Sequence, residues 1–298
     1  MSDTLRAIVL MTAAMAAFAT ADLSISLLPD EMPSSQILIV LGVGGATVFG
    51  TLAKLKGLRL LTPLWRDPGV LARNGSELIG TMGIVTALTL IPFSQASSIM
   101  QAVPLVVTAG AAVLLREPVG FYRWAAVLVG FLGVLVIVAP DPGDSLGFGT
   151  LAAVIGMLGL SARDLATRFV PPGAHTLELS FLAMATSIPA GLILRAMTGD
   201  PFMVPDTRAV LLLGQMIAAA TAAYFCVTAA MRLGDISAVA PFRYTRILFA
   251  FALAVVVVGE MLSTRMVVGT VLVVGAGLFT LWREQKAARA LGSPDRAR

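Results

Sequence analysis

Ten stretches of mostly apolar residues, each close to the length of a bilayer crossing, leave this chain few folds to choose from. They run over residues 5–28, 35–53, 70–91, 95–115, 120–140, 148–170, 177–197, 207–232, 236–258 and 265–283, joined by short loops. A helix needs about 20 apolar residues to cross the hydrocarbon. Backbone polar groups find no water there, and a helix satisfies them within its own segment. Only 13% of the residues are charged and the mean hydropathy is +0.90, whereas soluble domains carry about 25% charged residues. The expected fold is an all-α integral membrane protein of ten transmembrane helices. No polar stretch is long enough to build a soluble domain, the lone Cys226 excludes an internal disulfide framework, and His175 sits alone in a polar connector.

The chain also repeats itself. Arg6, the apolar stretch after it and Ala17-Phe18-Ala19 imitate a cleavable signal peptide. Yet MAAFATADLSISLLP (15–29) recurs as MLGLSARDLATRFVP (157–171), aligning Met15 with Met157, Asp22 with Asp164, Leu23 with Leu165 and Pro29 with Pro171. A leader has no reason to resemble an internal helix, so residues 5–28 are read as the first span. ALTLIPFSQAS (87–97) likewise aligns with AMRLGDISAVA (230–240), Glu117 with Glu260, and the Gly57 connector with that of Gly199. The expected organisation is a first five-helix repeat over 1–143, a second over 144–284 and a cytoplasmic tail over 285–298. An odd number of helices per repeat turns the second copy upside down, the inverted-repeat architecture of secondary transporters.

Charge sets the expected orientation. With the N-terminus in the cytoplasm, Lys54, Lys56, Arg59, Arg66, Arg73, Arg116, Arg123, Arg168, Arg232 and the basic tail lie on that side. The opposite side keeps Arg195, Arg208 and Arg265 with Asp30, Glu31, Asp141, Asp144, Asp200 and Asp206. That bias predicts a multi-pass protein of the cytoplasmic (inner) membrane with both termini inside. It also accounts for the pI of about 9.7 without a nucleic-acid partner. Tyr122, Trp124 and Trp282 fall at helix ends, where interfacial aromatics belong. Small residues four apart, Ala183/Ser187/Gly191, Gly214/Ala218/Ala222 and Ala13/Ala17/Ala21, are expected to seat neighbouring helices. The sequence leaves a homodimer open.

Few polar residues lie within the spans: Asp22, Glu77, Gln101, Arg163, Asp164, Arg243, Tyr244 and Arg246. An arginine at mid-bilayer costs roughly 2.5–3.5 kcal/mol on insertion scales, so such residues turn to a bundle interior or an aqueous cavity. Arg243 and Arg246 stand three apart on one helix face, just after Pro241, which removes a backbone donor. Arg163 and Asp164, adjacent in sequence, are expected to find partners on other helices, Asp164 with Arg243 or Arg246. Glu77 is expected to pair with Arg73 one turn earlier. An excess of guanidinium then remains for a carboxylate or phosphate, which arginine binds through charge-assisted bidentate bonds. Structural ion pairing is the competing use of the same residues.

Arg243, Tyr244, Gln101, Ser98 and Arg246 are accordingly the candidate substrate-binding residues. Gln101 and Tyr244 are repeat equivalents, and Pro104 marks a second kink beside Gln101. Asp22 and Asp164, with Arg163, are candidates for coupling and gating. A carboxylate held in the bilayer interior loses the hydration that its charged form needs, which makes protons the candidate coupling ion. Glu117 and Glu260, at the ends of the fourth and ninth spans, read as interfacial caps or loop anchors. No HExxH, GxSxG or Walker loop and no cluster of metal-ligating side chains is present, so neither catalysis nor a cofactor is expected. A membrane-embedded enzyme or a non-transporting scaffold is the alternative.

The long pattern IPFSQASSIMQAVPLVVTAGAAVLLREPVGFYRWAAVLVGFLGVLVIVAP (91–140) resembles the first repeat of the drug/metabolite transporter superfamily, in particular its EamA-type proteins. GDISAVAPFRYTRILFAFALAVVVVGE (234–260), with Gly269 and LFTLWRE (278–284), resembles the second. The resemblance implies ten helices, both termini inside, a central cavity lined by helices 4 and 9, and alternating access. It leaves the substrate open among amino acids, nucleosides, vitamins, S-adenosylmethionine and organic acids. With the guanidinium excess, it points to a carrier of a small anionic or zwitterionic organic metabolite.

Overall fold

A computed structural model describes residues 3–30, 32–60, 62–116, 120–139, 147–233 and 239–291. Glu31, Asp141 and Asp144 of the loops and Arg296 and Arg298 of the tail lie outside the described residues. The first three helices are α1 (Asp3–Ser26), α2 (Ser34–Leu55) and α3 (Pro68–Leu90). The fourth span is split into α4 (Phe93–Met100) and α5 (Val103–Leu114). Then come α6 (Phe121–Val138), α7 (Phe148–Ala166), α8 (Thr176–Thr198) and α9 (Thr207–Leu233). The described part of the ninth span joins a 3-10 turn (Ala240–Tyr244), α10 (Thr245–Leu253) and a π-turn (Ala254–Val258). The tenth is α11 (Thr264–Leu291), which continues as helix into the region expected to be tail.

Among the described residues nine helices are long and apolar enough to cross a membrane. The exception is α3, whose first turns carry Arg73, Asn74 and Glu77 and whose 23 residues nonetheless match the other helices in length. Its start is fixed by Asp67, whose Oδ1 accepts from the amides of Gly69 and Val70 at 2.9 and 3.1 Å, with Pro68 at the first helical position. Asp206 caps α9 through Ala209 N at 2.7 Å, and His175 Nδ1 accepts from Leu177 N at 3.2 Å to cap α8.

The helices pair across the two halves: α3 with α7, α1 with α9, α2 with α8, and α6 with α11. Numbered as spans, these are 3 with 6, 1 with 8, 2 with 7 and 5 with 10. Exchanging each span for the one five places on reproduces the same pairs, which is what a two-fold relation between halves requires. The direction of the second copy can be read from contacts at both ends. Arg283 near the end of α11 lies over the Tyr122 ring at the start of α6, 4.4 Å from its centroid. At the other end of the pair Arg265 donates to the carbonyl of Ala139 at 3.3 Å. Spans 5 and 10 are therefore antiparallel. Gly191 of α8 meets Ser35 and Ile39 of α2 while Gly42 and Gly45 meet Ile188 and Met184, so spans 2 and 7 are antiparallel too. Repeat-equivalent helices run in opposite directions, and the fold is two inverted five-helix repeats.

Small residues set the closest approaches. A Cβ on Gly83 would lie 2.5 Å from Gly156 N, and one on Gly159 2.5 Å from Gly80 N, so α3 and α7 touch backbone to backbone. In lipid such packing takes the place of a hydrophobic drive. Of the three rows expected from sequence, Ala183/Ser187/Gly191 is buried against α2. Gly214, Ala218 and Ala222 are exposed instead, because α9 turns Ala209, Leu213, Met216, Ala220 and Ala223 inward. In the third row Ala21 is buried and Ala13 is exposed.

Gly83→Leu should force α3 and α7 apart and destabilise the protein by about 1–3 kcal/mol or more. Gly214→Leu, with no atom near its added Cβ, should stay within about 0.5 kcal/mol of the parent. Unfolding of the detergent-purified variants measures both, and equal stability would disprove this assignment of helix faces.

Candidate functional site

Both repeat-equivalent inner spans are interrupted where proline falls. In the fourth, Pro104 stands at the second position of α5 and cannot donate to the carbonyl of Met100, so the helix breaks at Gln101 and Ala102. In the ninth, Pro241 begins a 3-10 turn over Ala240–Tyr244, and the span ends at Gly259, whose φ of 77° is left-handed. The α4 segment touches α1, α3, α6, α7, α10 and α11. Its N-terminus is closed by Glu260, which accepts from Phe93 N at 2.8 Å, from Ser94 N at 3.1 Å and from the Ser94 hydroxyl. Glu260 is thus a cap, as expected, but of a helix in the other half. Its repeat mate Glu117, like Gly234–Ala238, lies outside the described residues.

Charged groups from three spans meet beside the 3-10 turn. Arg163 of α7 donates through Nη1 to both oxygens of Glu77 on α3, at 3.3 and 3.2 Å. The same guanidinium donates through Nε to Asp164 Oδ1 at 2.9 Å, with Nη2 at 2.8 Å from that oxygen. Asp164 then faces Arg243 of the ninth span, 3.8 Å from its Nη2. Glu77 takes further contacts at 3.4 Å from Tyr224 of α9 and from Thr81, and its side chain is 5% exposed. Arg73 approaches Glu77 only to 4.0 Å and donates to Asn74 at 3.2 Å.

One sequence expectation is corrected here and another is refined. Arg163 and Asp164 do pair, because a guanidinium on a long flexible stem folds back along the helix to a neighbour whose Cβ points elsewhere. The expected Arg73–Glu77 ion pair is present at 4.0 Å, but the hydrogen bonds to Glu77 come from Arg163, because α3 and α7 lie so close that the inter-helix partner is the nearer one. The expected Asp164–Arg243 contact is present, as the loosest ion pair of the chain of charges apart from Arg73–Glu77.

A second cluster lies on α1. Arg246 pairs with Asp22 and lies over the Phe18 ring, 5.2 Å from its centroid. Tyr224 packs edge-on against Phe18 at 5.5 Å and against Phe49 at 6.3 Å, which links this cluster to Glu77. Together the two hold four guanidinium groups, of Arg73, Arg163, Arg243 and Arg246, against the carboxylates of Glu77, Asp164 and Asp22. Among the described residues one positive charge is unmatched. Arg243 is the most open of the four, with a side chain 45% exposed and no hydrogen bond among the described residues. An arginine in a spanning helix avoids lipid, so its open side is an aqueous one.

The remaining candidates take no part in the ion pairs given above. Ser98 is fully buried, donates to the carbonyl of Ser94 at 2.7 Å and receives the hydroxyl of Thr270 on α11 at 2.9 Å. The Gln101 amide is buried with its Nε2 unpartnered. Tyr244 is buried against Gly277 of α11, where any Cβ would collide with its ring. Tyr224 and Thr270 are not among the residues that the sequence singles out, since other hydroxyls, Thr221 and Thr280, lie in the same spans.

Residues 5–139 match the EamA-like transporter family. The riboflavin transporter of Rhizobium johnstonii is 29% identical over 76% of this chain and 72% of its own length. An S-adenosylmethionine uptake transporter of Rickettsia prowazekii is 24% identical over 67% of each chain. A solved crystal structure, 21% identical, shares the fold over 96% of this chain and 99% of its own, with a TM-score of 0.63.

Removing one member of a buried ion pair strands the other, at a cost of about 3–5 kcal/mol. Arg163→Gln should be destabilised by that order, and Arg163→Gln combined with Glu77→Gln by less than the two single changes together. Denaturation of the four proteins in one detergent checks the coupling; additive losses would mean the pair is not formed.

Proposed function

We propose that this chain, whose residues 5–139 match the EamA-like transporter family, carries a small anionic or zwitterionic organic metabolite across the cytoplasmic membrane by alternating access. The observation that carries this reading is Arg243: the open guanidinium of a cluster with one more positive group than negative. A solute carboxylate supplies the missing charge and the bidentate acceptor that Asp164, at 3.8 Å, does not. In this reading Gln101, whose buried Nε2 has no partner among the described residues, orients the solute with Tyr244 and Ser98 from the broken fourth and ninth spans. Arg246 is shared between solute and Asp22.

Asp22 and Asp164, equivalent in the two repeats, couple and gate. Each pairs with an arginine of the ninth span, Asp22 with Arg246 and Asp164 with Arg243, so breaking either pair frees that span to move, while Arg163 anchors Asp164 to α7. Both termini lie in the cytoplasm of a bacterium. The bacterial relatives are named for riboflavin and S-adenosylmethionine, two organic metabolites, and neither name is transferred here.

Uptake of labelled monocarboxylates and amino acids into proteoliposomes tests the reading. Arg243→Ala should lower the initial rate by about thirtyfold or more, the loss expected on truncating one partner of a charged hydrogen-bonded pair, while Arg243→Lys retains part of it. Transport by Arg243→Ala at the parental rate would remove Arg243 from the site.

A further inference from the structure

The cluster beside Arg243 has a definite charge count, and that count restricts the solute. Among the described residues Arg73, Arg163 and Arg243 face Glu77 and Asp164, all linked through contacts of 2.8–4.0 Å. The side chains of Arg73, Glu77 and Arg163 are 10%, 5% and 16% exposed, so water screens them poorly. Unbalanced charge is costly in such a setting. One added negative group neutralises the cluster, and a second leaves it negative by one.

We propose that this cluster selects solutes bearing a single carboxylate over dicarboxylates of the same skeleton, and that Glu77 is the residue that sets the count. The inference rests on Arg243 receiving the solute. Glu77 touches no solute in this scheme. It acts through Arg163, whose guanidinium it holds with two hydrogen bonds, and through the charge it adds to the field at Arg243. The second role separates it from a purely structural anchor. An anchor lost would weaken all solutes alike, whereas a charge lost changes the order among them.

The test uses purified full-length protein in detergent with two probe pairs, butyrate against succinate and benzoate against phthalate, binding being read from concentration-dependent thermal stabilisation. The parent should bind the monocarboxylate of each pair more tightly. Glu77→Gln, which keeps the shape and deletes the charge, should move the mono-to-di affinity ratio toward the dicarboxylate by about tenfold, the size of one poorly screened charge interaction. Glu77→Asp should keep the parental order.

If Glu77→Gln does not fold, Asp164→Asn deletes a charge next to Arg243 and should move the ratio the same way. A ratio unchanged by either deletion, or a parent that prefers succinate and phthalate, overturns the inference and leaves the role of Arg243 standing. Loss of all probe binding in Arg243→Ala supports that role. Unaltered binding in Arg243→Ala, or a parent stabilised by none of the four probes, overturns the role of Arg243 and the inference together.

Discussion

The guanidinium of Arg163 is the junction on which the arrangement of the site depends. It belongs to the second repeat, yet its firmest inter-helix bonds go to Glu77 in the first, while the rest of its fork holds the neighbouring Asp164. In a medium without water each of these groups needs the others. The short distance between α3 and α7 makes the junction feasible, and that distance exists because Gly80 and Gly83 face Gly156 and Gly159. Backbone packing on the glycines thus determines where the charges sit, and the charges determine how open Arg243 is left.

The two halves are interleaved rather than set side by side. Each of the main helix pairs joins one half to the other, and the capping of α4 by Glu260 does the same. The inner spans differ from the outer ones in being broken. Proline at 104 and 241 removes donors in places where the surrounding helices, not the segment itself, hold the chain. Among the described residues those breaks put irregular backbone in the two repeat-equivalent inner spans.

The spans were legible in the sequence because hydropathy acts over some twenty residues at once, and the inversion because an odd repeat admits no other arrangement. Even α3, which falls outside the nine candidate spans, lies within two residues of its expected limits. Partner choice was less legible. Glu77 has Arg73 on its own helix and Arg163 eighty-six residues away, and nothing local says that α7 will be the closer neighbour. The pairing of Arg163 with Asp164 was missed because helix-face rules describe Cβ directions, not the reach of a long side chain. The Gly214 row shows the same limit: small residues four apart define a stripe but not the side of the helix that is buried. Ser98 was recognised as polar and central, but its bond to Thr270 depends on the placement of α11.

Glu260 closes the end of a helix that the ribosome completed long before. The amides of Phe93 and Ser94 are made early, and their acceptor lies 167 and 166 residues downstream. During synthesis the fourth span therefore enters the bilayer with its leading end unsatisfied, and only the arrival of the ninth finishes it. The order of assembly follows: the innermost helix is among the last to settle, and a nascent chain cut short before Glu260 keeps that end in need of water or of a substitute acceptor from the insertion machinery.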